Sequence, residues 1–195
     1  MQKSAHPRLT LPTTPSAVHA PSLAQRLGQP MHQSVLLHSA RTQGLREADD
    51  FTQLAFQRGC RYYMPPDWKP ARQLTASLSP EGLAIALLHP CLPYNPQRIR
   101  IAAAMVSAPH LKPQHLAHLA LQERAADVLR FIAEAGHRCE PDHSFWSELL
   151  PYLPEIRTPL PLGVMPHPSR FTAMTGRPGP GQRELKQTWI RPVTV

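Results

Sequence analysis

The chain has 195 residues, 24 of them proline, where about 5% is ordinary. Its size suits one domain of ordinary dimensions. No run of ~18 apolar residues exists to form a membrane span, an odd set of three cysteines makes no disulfide scaffold, and scarce, unperiodic glycine excludes a collagen-like chain.

The formal net charge is +8 and the pI is near 10.0, which invites a nucleic-acid reading. The placement of the charge tempers it. Residues 1–35 carry Lys3, Arg8 and Arg26 and no acid, and residues 151–195 are also basic, so the two ends hold +7. Residues 71–150 sum to zero. A dedicated nucleic-acid domain gathers its cations on one face of the fold. Here the expected fold is neutral and the flanks are basic.

Residues 1–40 hold Pro7, Pro12, Pro15, Pro21 and Pro30, and no acid appears before Glu47. This composition predicts a poorly ordered basic lead. It lacks the apolar stretch of a secretory signal. The expected location is the cytoplasm, where free thiols persist. The first helix is expected over 43–58, with Leu45, Ala48, Phe51, Leu54 and Ala55 recurring and Gly59 as its stop. Arg61-Tyr-Tyr-Met-Pro-Pro-Asp-Trp-Lys-Pro70 cannot be an α-helix and reads as an aromatic strap over the core.

Two helices then announce themselves. Ser79-Pro80-Glu81 and Asn95-Pro96-Gln97 each put a capping side chain before a proline at the first helical position. His89-Pro90 and Ala108-Pro109 stop them, because a residue before proline resists helical geometry. The first of the two is apolar all round, from Leu83 to Leu88, and should be central. In 114–140 the apolar stripe changes face near Gln122, which predicts a break there and an end at Gly136. Glu123, Asp127, Arg130 and Glu134 read as its polar back. A last helix is expected from Asp142 to Leu150, with Phe145, Trp146, Leu149 and Leu150 inward. Residues 151–182 are proline-rich, and Glu184–Val195 reads as a short strand or an extended tail pinned by Trp189.

The fold class is therefore all-α. The expectation is a compact bundle of about five or six short antiparallel helices over 41–153, a loose lead over 1–40 and an extended, poorly ordered proline-rich arm over 154–195.

Chemistry is sparse. His137, Cys139 and His143 carry metal-ligand chemistry, but no closely spaced cysteine pair completes a zinc site. His110, His115 and His118 form a second group, read as a solvated polar face. Phosphate loops, nucleophile elbows and dinucleotide fingerprints are absent from the sequence. The prolines of Gly176-Arg-Pro-Gly-Pro-Gly181 lack the N–H donors that would cradle a phosphate. A helix-turn-helix over 80–107 would need Arg98 and Arg100 on one face, yet they point about 160° apart.

The reading that follows is a non-enzymatic module for protein–protein interaction or a scaffold role in a larger assembly, with an unidentified protein partner and no cofactor. Arg157-Thr-Pro-Leu-Pro161 suits a partner's aromatic groove. The alternative is non-specific nucleic-acid contact through Arg170, Arg177, Arg183, Lys186 and Arg191. A metal-dependent enzyme is the third reading. Ile85→Asp tests the assigned core: a charge placed in the most apolar helix should abolish the cooperative thermal transition, and an unchanged transition would refute the assignment.

Overall fold

The computed structural model describes residues 34–92, 95–156, 160, 164–176 and 186–193, all in the unit spanning 33–195. Among them are seven α-helices and one two-stranded antiparallel sheet. The helices are α1 (Val35–Thr42), α2 (Ala48–Gln57), α3 (Pro80–Leu87), α4 (Pro96–Val106), α5 (Pro113–Gln122), α6 (Ala126–Cys139) and α7 (Ser144–Leu149). The strands are β1 (Thr172–Thr175) and β2 (Lys186–Trp189), with Thr172 opposite Trp189 and Thr175 opposite Lys186. The molecule is thus mostly helical, and the all-α expectation is corrected by a small sheet.

The capping signals act as their chemistry dictates. Ser79 Oγ accepts from Gly82 N at 2.9 Å at the head of α3, and Asn95 Oδ1 accepts from Gln97 N at 2.8 Å at the head of α4. Each fills one of the donors that a helix start leaves unpaired. From Gly82 to Leu88 every residue of α3 and its cap is buried, as an all-round apolar helix requires. It packs chiefly on α4, and also on α2 and α5.

The break near Gln122 is present: α5 stops there and α6 begins at Ala126. Arg124, at φ 58°, takes the left-handed turn that separates them. Leu116 and Ala120 before the break, and Leu129 and Ile132 after it, all reach full burial. Leu121, which the pattern assigns to the second stripe, is 49% exposed because α5 ends beside it.

Further expectations are corrected. The helix expected over 43–58 starts only at Ala48 and ends at Gln57, because the chain turns at Gly44, φ 88°, after α1. Val35–Thr42 lies mostly within the stretch read as a loose lead, yet it is helical, with Leu37 and Ala40 buried. Two turns of helix with a Ser34 cap outweigh the surrounding composition. The first 33 residues of that lead lie outside the described residues.

Gly136 does not end α6, which runs on to Cys139. It is there for space: a Cβ at 136 would sit 2.4 Å from the Trp146 ring. The last helix starts at Ser144 rather than Asp142, and it buries Trp146 and Leu149.

Nor is the far end of the chain simply an extended arm. Trp189 and Ile190 are buried, and Trp189 Nε1 donates to Ala103 O at 3.1 Å. Val193 N donates to Gly59 O at 2.9 Å. Gly59, at φ 94°, could not carry a side chain there, because a Cβ would fall 2.0 Å from Val193 O. The pinning by Trp189 is therefore real, and it joins the C-terminal strand to the helical core. Gly136→Ala should lower stability by about 1–3 kcal/mol through overpacking. Urea unfolding reads this directly, and no shift in midpoint would show that Trp146 yields freely.

Candidate functional site

A concavity lies where the α4–α5 loop, α7 and the C-terminal segment meet. A depression of about 480 Å³ is lined by His110, His143, Ser144, Phe145, Glu148 and Arg191, among others. A second, of about 600 Å³, is bordered by Lys112, Gln114, Pro151 and Tyr152. Leu111, Pro113 and Glu148 line both, so the two form one trough along α5 and α7. Its walls mix prolines, Phe145 and Tyr152 with charged and polar side chains, and Tyr152 is 48% exposed.

The positions of the polar groups follow from the helix ends. Pro109 ends the α4 segment, and His110 takes φ 71° in the turn before α5. His143 caps α7, and its ring lies edge-on to Phe145 at 6.4 Å. One imidazole from each sequence cluster therefore reaches the same trough. The remaining members do not: His115 and His118 are exposed on α5, as a solvated face should be.

Arg191 is clamped by Glu140. Its NH1 donates to Glu140 Oε1 at 3.0 Å and its NH2 to Oε2, while Trp189 N donates to Glu140 Oε1 at 3.2 Å. Burial pushes the Glu140 carboxyl upward, but the bonds from Arg191 and Trp189 outweigh it and hold the group below its usual value. A carboxylate with a depressed pKa stabilises the fold above its unfolded value, and the contribution fades as pH falls through the folded one. Charged hydrogen bonds of this kind contribute roughly 1.5–3 kcal/mol.

The metal candidates separate. His137 Nδ1 is buried on α6 with no hydrogen-bond partner among the described residues. Cys139 Sγ lies 4.0 Å from Gln187 O, and burial raises its pKa, with Glu140 adding to the effect. No group of three or more His, Cys, Asp or Glu among the described residues could hold a metal ion.

The nucleic-acid candidates also divide. Arg170 and Lys186 are exposed, Arg191 is neutralised by Glu140, and Arg177 and Arg183 lie outside the described residues. Of the arginine–proline segment 157–161, only Leu160 is described. The start of α4 is occupied: Gln97 Nε2 donates to Tyr63 O at 3.4 Å, Arg98 is buried, and Arg100 lies 5.6 Å over the Tyr63 ring. That leaves it no free face for a DNA groove.

Sequence reasoning missed one pair. Glu123, read as surface, is buried at the break. Its Oε1 accepts from Leu36 N at 3.0 Å, and its Oε2 lies 3.3 Å from His89 Nε2. His89 Nδ1 accepts from Cys91 N at 3.0 Å, which places the ring proton on Nε2, facing the acid. An imidazole–carboxylate pair is general-base chemistry, but side-chain exposures of 3% and 5% keep it from any substrate. The pair caps α1 from across the fold. The one sequence signal was the break itself, since an acid at a helix end is free to turn inward.

Compared with known protein families, curated proteins and solved structures, the chain matches none. Among the described residues no helix is long and apolar enough to cross a membrane.

Glu140→Gln should destabilise the protein by about 1–2 kcal/mol at neutral pH, since the Arg191 and Trp189 donors lose a charged acceptor. The deficit should shrink as pH falls below the ordinary glutamate range. Denaturation series at several pH values would show this, and a deficit independent of pH would remove the carboxylate from the account.

Proposed function

We propose that this protein is a non-enzymatic helical module that binds a partner protein, within a larger assembly, through the trough along α5 and α7. The observation that carries this is the continuity of the two depressions across Leu111, Pro113 and Glu148. Aromatic and proline surface framed by polar and charged side chains is the make-up of a protein interface. Phe145 and Tyr152 offer flat apolar surface, and Glu148 and Lys112 supply polar orientation. Short connections from α4 to α5, α5 to α6 and α6 to α7 support a bundle of antiparallel neighbours there, which would hold the trough rigid. Three unbridged cysteines fit a reducing compartment, the cytoplasm.

The alternative, contact with nucleic acid through the basic ends, has the exposed Arg170 and Lys186 in its favour. One experiment separates the two. Affinity capture from the native host should yield a discrete polypeptide that Tyr152→Arg, a change at a half-exposed position, no longer retains. If the protein instead binds mixed RNA tightly at low salt, and loses about ten-fold or more as salt rises to physiological strength, the alternative replaces this reading.

A further inference from the structure

We propose that the free edge of β1 pairs with the β1 edge of a second copy of this chain, joining two small sheets into one of four strands. None of the residues that line the trough belongs to this edge.

Register decides which backbone groups face outward. Ile190 N donates to Phe171 O at 3.0 Å, so the ladder begins with this bonded pair. Two residues further in at each step, Ala173 with Thr188 and Thr175 with Lys186 are the bonded pairs of β1 and β2. The N–H and C=O of Thr172 and Met174, and those of Gln187 and Trp189 on β2, then point away from the ladder. The outer edge of β2 is covered by the end of α6. Trp189 N donates to Glu140 Oε1 at 3.2 Å, and Cys139 Sγ lies 4.0 Å from Gln187 O. The outer edge of β1 has no such cover. Among the described residues, no backbone group of Thr172 or Met174 makes a hydrogen bond, and β2 is the only strand beside β1. The edge has defined ends. Tyr63 Oη donates to Arg170 O at 2.8 Å before it, and Gly176, at φ 152°, turns the chain after it.

The geometry and charge of the edge suit its own copy. Turned about a two-fold axis at Ala173, two such edges run antiparallel, with Thr172 opposite the partner's Met174 and Met174 opposite the partner's Thr172. Both are hydrogen-bonded pairs, so four N–H···O=C bonds form and every outward group of the two edges is used. Ala173 meets its own counterpart on the axis. There the backbones approach to about 4.5 Å between Cα atoms, and a methyl group leaves room for it. Strand edges that stay single carry a lysine, a proline or a bulge. β1 is Thr172-Ala-Met-Thr175, with none of these, and Met174 is 61% exposed. With no charge on β1, the axis sets no like charges opposite each other. Arg170 and its counterpart stand about 20 Å apart along the strands, and Lys186 is about 10 Å across the sheet from the facing chain. Both distances exceed the screening length of about 8 Å at physiological salt.

Four backbone bonds and a small apolar contact, set against the cost of association, make this a weak dimer, with a dissociation constant on the order of 100 µM. Sedimentation equilibrium of the full chain should pass from mostly monomer at about 10 µM to mostly dimer at about 1 mM. Over the same range the Thr172 and Met174 amides should become protected from exchange, while those of Ala173 and Thr175, which face β2, stay protected throughout. Ala173→Cys in a Cys91→Ser background should form an intermolecular disulfide under mild oxidation, because the two Cα atoms come within bridging distance. Thr188→Cys in that background, one strand further from the axis, should not. Met174→Pro deletes one outward donor from each copy and spares the ladder to β2, so it should weaken the dimer at least ~ten-fold. A chain that stays monomeric at about 1 mM leaves the edge to a different partner and overturns the proposal. Edge amides indifferent to concentration, equal cross-linking at 173 and 188, or an undiminished Met174→Pro dimer would each overturn it too. If Met174→Pro does not fold, exchange on the unmodified chain and the cross-linking pair decide.

Discussion

The close approach of Trp146 to the backbone of α6 is the contact on which the C-terminal half of the fold depends. Because residue 136 is glycine, the indole lies where a Cβ would otherwise stand. Trp189 then packs edge-on against Trp146 at 5.0 Å, and Phe171 follows at 5.4 Å from Trp189. Three large rings meet in one place, each burying on the order of 150–250 Å². The indole N–H of Trp189 finds Ala103 O, so that donor stays paired on burial. The strand that carries Trp189 is thereby fixed to the helices, and Arg191, two residues on, is delivered to Glu140 and to one end of the trough.

Polar side chains do in this protein what backbone ladders do elsewhere. The proline content shortens the helices and leaves long irregular connections, whose backbone groups still need partners. Gln43, Gln53, Gln57 and Arg58 serve the segment before α3. Glu123 serves the start of α1, and Glu140 serves Trp189. Each such bond contributes about 1 kcal/mol net. Their joint effect is to hold segments that have no secondary structure of their own. The helical body is therefore not free of charge: Glu81, Arg98 and Glu123 are buried within it.

The same habit shapes the trough. The trough lies where α5 starts at Pro113 and α7 ends before Pro151, turns that leave Tyr152 half-exposed. Three arginines, Arg72, Arg130 and Arg191, are matched by acids within the fold, so they add little to any field that would attract a polyanion.

The sequence by itself determined the helix starts at Pro80 and Pro96, the apolar α3, the break after Gln122 and the anchoring role of Trp189. These depend on capping chemistry, proline sterics and periodicity, which act over a few residues. Only tertiary structure decided the rest. That Gly136 makes room rather than stopping a helix depends on a ring ten residues away. That Glu123 is buried depends on His89 and on the start of α1. That His110 and His143 share a trough, and that Gln57 holds the segment before α3, depends on which elements pack together. Local pattern carries no information about a partner far along the chain, and burial, charge matching and backbone pairing are set by such partners.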